Sequence, residues 1–89
     1  MSASPTFQTA LGLAVKARRE ELKLTQEQLA NNSDLHQRWV SNIENGKRNP
    51  SYGSLRRLAA GLELSASDLL AHAERIEAQG LSALNAAVQ

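Results

Sequence analysis

Residues 25–46, TQEQLANNSDLHQRWVSNIENG, constrain this chain more than any other stretch. Their pattern predicts two short helices joined by a tight turn. Thr25, with Gln28 three residues on, forms a capping box: the threonine hydroxyl takes an orphan N–H at the helix start and the glutamine side chain reaches back. Leu29 and Ala30 supply the apolar face, and Asn31, Asn32, Ser33 and Asp34 form a polar turn cluster. Asn and Asp tolerate left-handed backbone better than most residues. The second helix, about residues 36–45, sets Val40 and Ile43 on one side. Gln37, Arg38, Ser41, Asn42 and Asn45 fall mostly on others, and Gly46 is a natural stop.

The polar side of this second helix is unusual. Glu44 is its one acid, and the rest is Gln, Asn, Ser and Arg. Such side chains carry short, directional donors and acceptors that match base edges in a DNA major groove. An ordinary solvated face more often mixes Glu and Lys.

The length of 89 residues fits one small domain. A chain of this size favours a compact bundle or a dimer over a large catalytic cleft. It has no cysteine, so disulfide and thiolate chemistry are unavailable. Apolar runs are too short for a membrane span. The start MSASPTFQ has no basic segment followed by an apolar core, so no secretory signal is expected and the expected location is the cytoplasm.

The net charge of +1 is uninformative, but its distribution is not. Residues 1–35 sum to zero. Residues 36–57 hold Arg38, Lys47, Arg48, Arg56 and Arg57 against Glu44 alone, for +4. Residues 58–89 sum to −3. The positive field thus lies on the second helix of the pair and on the residues just beyond it, and phosphate attraction needs that kind of local asymmetry.

Residues 1–5 read as a disordered N-terminus and residues 6–79 as the domain. Phe7, Leu11, Ala14, Val15 and Leu22 recur at helical spacing. Gly12 costs that helix about 1 kcal/mol relative to Ala, which suggests a close approach by another helix. Leu24 is expected to plug the core ahead of Thr25. Beyond Gly46, the loop Lys47, Arg48, Asn49 ends at Pro50, which disfavours helical geometry in the residue before it. Ser51 is the expected cap of a fourth helix burying Leu55, Leu58, Ala59 and Leu62, and Leu64 is a core residue of the next linker. Ser65, with Asp68 three residues later, caps a fifth helix carrying Leu69, Leu70, Ala73 and Ile76. Gly80 is its expected end. Residues 80–89 form a tail in which Leu81, Leu84 and Val88 fit a short further helix, and with Ile76 they make a stripe that is either a core satellite or a dimer contact. The expected fold is all-α: a compact five-helix domain.

From Leu11 to about Leu70 the order of pieces resembles the XRE family, the Cro/lambda-repressor class of helix-turn-helix proteins. The pieces are LG in helix one, an Arg before the first turn, TQEQLA, the IENG stop, NPS and LRRLAAGLELS. HQRWVSNIENGKRNPS is similar to stand-alone regulators and restriction–modification controllers. The resemblance implies a lambda-repressor-like fold and sequence-specific binding of a double-stranded DNA operator, as a homodimer, by a bacterial or phage transcription regulator. It implies that Gln26 contacts phosphate, that Gln37, Arg38, Ser41 and Asn42 enter the major groove, and that Lys47 and Arg48 grip the backbone. Arg38 suits guanine O6/N7, and Gln37 or Asn42 suits adenine N6/N7. Arg19 and Glu44 match a structural salt bridge. Three positions depart from the pattern. Asp34 and Glu63 stand where Gly is common, and Trp39 stands where smaller residues or Tyr are usual.

Other readings stay open. The same fold serves as an antitoxin that also binds a protein partner, or as a protein-interaction module. Trp39 fits the edge of the core, or contact with a thymine methyl, sugar or phosphate. His36 fits a capping or packing role, or a phosphate contact. Arg56 and Arg57 read as solvated more than DNA-bound. Ser, His and Asp are scattered without nucleophile–base–orienter spacing, so an enzyme is not expected. His36 and His72 lie on different elements without cysteine partners, so no metal is expected, and no cofactor, membrane or small-molecule ligand is called for.

Overall fold

The computed structural model describes the backbone of residues 6–88 and the side chains of residues 6–80. Five helices run in order along the chain: α1 (Phe7–Glu21), α2 (Gln26–Ser33), α3 (Gln37–Glu44), α4 (Tyr52–Gly61) and α5 (Ala66–Val88). No strand occurs among the described residues. The expectation for residues 1–5, and that for the stripe Leu81, Leu84 and Val88, lie outside the described residues and side chains.

The helix starts obey local chemistry. Thr6 caps α1 by accepting from the Thr9 N–H, and Ser51 and Ser65 accept from the Ser54 and Asp68 N–H groups at 3.1 and 3.0 Å. At α2 both halves of the capping box form: Gln28 N–H donates to Thr25 Oγ1 at 3.0 Å, and Thr25 N–H donates to Gln28 Oε1 at 2.9 Å. His36 occupies the cap position of α3 by backbone geometry, but its side chain makes no capping hydrogen bond.

The helix ends share one device. After α1, α2, α3 and α4 the chain turns through a left-handed residue, respectively Lys23, Asp34, Gly46 and Glu63. At each, two backbone bonds satisfy carbonyls of the last turn: Leu24→Arg19 and Lys23→Glu20, Leu35→Ala30 and Asp34→Asn31, Lys47→Asn42 and Gly46→Ile43, Leu64→Ala59 and Glu63→Ala60. This is the Schellman closure, and in three of the four a leucine comes directly after the left-handed residue. Only one of the four is glycine, so Asp34 and Glu63 hold left-handed backbone themselves.

Helix α5 corrects one expectation. Gly80 does not end it, and no separate sixth helix forms: α5 runs unbroken to Val88. Glycine in a helix interior costs only about 1 kcal/mol relative to Ala. It stops a helix where a left-handed turn is needed, whereas the Ala- and Leu-rich sequence after Gly80 favours continuation. The expected break between residues 79 and 80 is therefore not a break in the chain path.

The core is built from all five helices. Leu11, Ala14, Val15, Leu29, Ala30, Val40, Ile43, Leu55, Leu58, Ala59, Leu62, Leu69 and Ala73 are buried in one cluster. Phe7, Leu35, Trp39, Leu64, Leu70 and Ile76 close its edges. Helix α1 packs against α5 and α3, while α2 packs against α3 and α4. Leu24, expected as a plug, is half-buried; its carbonyl instead accepts from Arg19 Nη1 at 2.8 Å. A second link joins α1 to the end of α4, where Arg18 Nε donates to the Leu62 carbonyl at 3.0 Å. Gly61 meets α2 closely: a β-carbon there would lie 2.1 Å from Ser33 Oγ, itself buried without a hydrogen-bond partner. No described helix is long and apolar enough to cross a membrane.

Candidate nucleic-acid interface

Helix α3 divides cleanly. Val40, Ile43 and Glu44 are buried, whereas Gln37 and Arg38 are exposed and Ser41 and Asn42 are half-exposed. Spacings of three and four residues place side chains on one helical face, so Gln37 stands over Ser41 and Arg38 over Asn42. Lys47 and Arg48 are exposed just past the helix end. The fold thus brings together six of the seven residues expected at the interface.

The single acid of α3 is taken out of that face. Glu44 turns inward, its side chain only 3% exposed, against an Arg19 side chain 12% exposed. Arg19 Nε donates to Glu44 Oε2 at 2.6 Å and Nη2 donates to Oε1 at 3.0 Å, a bidentate, charge-assisted pair. Hydrogen bonding to Glu44 is the main reason the Arg19 guanidinium's pKa lies above its ordinary value, and it outweighs desolvation. With Glu44 neutralised inside, the outward charge of α3 and the loop beyond it is positive.

Gln26, the seventh residue, stands at the first position of α2 and is half-exposed. Its amide is not free: Nε2 donates to Glu44 Oε1 at 3.0 Å. No sequence signal announced this bond. It joins residues 18 positions apart, and it exists only because α1, α2 and the end of α3 converge on one carboxylate.

Trp39 packs on the core edge, half-buried. It also lines an open groove with His36, Arg38, Asn42 and Arg48. Arg56 lies over the Tyr52 ring, 5.9 Å from its centroid, an intramolecular cation–π contact at the start of α4. Arg57 is exposed.

The helix-turn-helix family model HTH_3 matches residues 15–69, which span α2, the turn and α3 together with their supports. The chain belongs to the XRE-type helix-turn-helix family. Within that family it is 42% identical over 60 residues to the control protein C.MunI from Mycoplasma sp, covering 67% of this chain and 81% of that protein. It is 37% identical over 60 residues to the immunity repressor of Bacillus phage phi105, covering 67% of this chain. The chain spans only 42% of that repressor's length. Among solved structures, the clp gene regulator ClgR from Corynebacterium glutamicum superposes with a TM-score of 0.88 at 26% identity, covering 94% of this chain and 89% of ClgR. The restriction–modification controller C.Esp1396I, solved as a tetramer on its natural 35 base-pair operator, superposes with a TM-score of 0.74 at 29% identity. That match covers 81% of this chain and 95% of the controller.

Proposed function

We infer that this chain is a sequence-specific, double-stranded-DNA-binding transcription regulator of bacterial or phage type that acts as a homodimer. The observation that carries the reading is the outer face of α3. Gln37, Arg38, Ser41 and Asn42 face outward with no acid among them, and Lys47 and Arg48 come directly after. The control proteins, phage repressor and operator-bound controller that share the family support it.

In this reading α3 enters the major groove. Arg38 donates to guanine O6 and N7, and Gln37 or Asn42 pairs with the adenine edge. Ser41 serves either base edges or a phosphate. Lys47, Arg48 and the first turn of α2 with Gln26 hold the sugar–phosphate backbone and fix register. Two copies related by a two-fold axis read half-sites about one helical turn apart. Bound at its operator in the cytoplasm, the dimer blocks or recruits polymerase according to where the operator lies.

Trp39 is the chain's one tryptophan and borders the groove with Arg38 and Asn42, so its emission reports the interface. Adding duplex DNA at low salt is expected to change that emission saturably, and added salt is expected to reverse the change. An emission that stays constant while no duplex is retained by the protein would contradict the reading.

A further inference from the structure

We propose that Glu44 is a positioning residue for DNA binding: it holds the Gln26 amide in one orientation at the backbone-facing edge of the interface. This rests on the reading that α3 enters a DNA groove with the first turn of α2 beside it.

The chemistry is specific. A carboxylate is acceptor-only, so only the N–H side of an amide can face it. Glu44 Oε1 accepts from Gln26 Nε2 at 3.0 Å, which excludes the flipped amide in which Oε1 would meet the carboxylate. Arg19 fixes the carboxylate in turn through bonds of 2.6 and 3.0 Å, and Arg19 is itself held by the Leu24 carbonyl at 2.8 Å. The chain of contacts leaves Gln26 with one uncommitted N–H on a half-exposed side chain at the start of α2. There the helix end also favours an anion. A free glutamine samples several rotamers and both flips, and the flipped amide turns a carbonyl oxygen where an N–H is needed for a phosphate. Glu44 removes that entropy before DNA arrives. One buried acid at the end of α3, the helix that reads bases, thus fixes the start of α2, which holds the backbone.

The test is a double-mutant cycle on DNA affinity with Gln26→Ala, Glu44→Gln and the double variant. It is run at low temperature with the folded fraction of each protein fixed by circular dichroism. Each single variant is expected to weaken all duplexes alike by several-fold, up to about tenfold. The double variant is expected to be little worse than Gln26→Ala alone, because Glu44 acts through Gln26. Multiplying effects would overturn the proposal, as would an unchanged affinity in Gln26→Ala, and both leave the DNA-binding reading intact. A wild-type protein that binds no duplex at all would instead remove that reading and the proposal with it. Should Glu44→Gln fail to fold, the side-chain amide of Gln26 in the wild-type protein carries the test by NMR. One Hε2 proton is expected to be protected from exchange in the free protein, and the other is expected to shift on adding duplex. Two freely exchanging protons that ignore the duplex would overturn the proposal.

Discussion

Gly12 lies directly under the end of α3: a β-carbon on it would sit 2.4 Å from the Ile43 carbonyl oxygen and 2.6 Å from that of Glu44. The glycine therefore sets how closely α1 approaches the helix that carries the interface. Both obstructing atoms are backbone, so neither can swing aside. Gly12→Ala is expected to lower stability by up to about 2 kcal/mol, because an overpacking cost of about 1–3 kcal/mol outweighs the gain in helix propensity of about 1 kcal/mol. Gly53, where an added β-carbon meets nothing within 4 Å, is the control. Gly53→Ala should raise the denaturation midpoint by roughly 0.5–1 kcal/mol equivalent. Urea unfolding of both variants measures the contrast.

The Arg19–Glu44 pair gives a second prediction. Removing one partner leaves a buried charge uncompensated, so Arg19→Ala is expected to cost about 3–5 kcal/mol in urea unfolding. Because the folded-state pKa of Arg19 is raised, its contribution is fully present below the ordinary arginine range and is lost only as pH rises through the still higher folded value. Arg19 itself should thus add no pH dependence to stability near neutrality. A cost under about 1 kcal/mol would mean that the pair behaves like a surface ion pair.

Glu63 holds a left-handed backbone at φ 60° with its side chain exposed. Left-handed geometry costs an L-residue about 1–2 kcal/mol, and glycine recovers that less its own entropy in the unfolded chain. Glu63→Gly is therefore expected to stabilise the fold by about 0.5–1 kcal/mol, read as a higher thermal midpoint. A fall in midpoint would show that Glu63 makes a compensating interaction.

Two further substitutions separate reading from gripping. Arg38→Ala is expected to cost about 1–3 kcal/mol per half-site on the preferred duplex and to relax preference at one or two base pairs. Equal weakening on all sequences would instead assign Arg38 to phosphate.

Lys47→Ala should weaken every duplex alike and reduce the salt slope by roughly one unit per half-site. An unchanged slope in a filter-binding or anisotropy series would remove Lys47 from the interface.

Much of this was legible in the sequence because it is local. Capping at Thr25, Ser51 and Ser65, the apolar stripes and the polar face of α3 all depend on spacings of a few residues. The Arg19–Glu44 pair came from resemblance, and Gly12 from its misplacement in a helix. The features hidden from the sequence depend on convergence in space or on weak local preferences. Lys23 gives no residue-type signal for left-handed backbone, yet the Schellman closure imposes it. Gly80 has the residue type of a helix stop, yet a single glycine is too weak a breaker among good helix formers. The Gln26–Glu44 bond required three helices to meet before it could be seen.

The central claim is that the outer face of α3 reads a DNA sequence. The most direct measurement is selection of bound duplexes from a random library by the purified chain, followed by sequencing. The expected result is enrichment of a two-fold symmetric site with half-sites about one helical turn apart, with Arg38→Ala relaxing it at one or two positions in each half. A bound pool with no sequence in common, retained only at low salt, would contradict the claim.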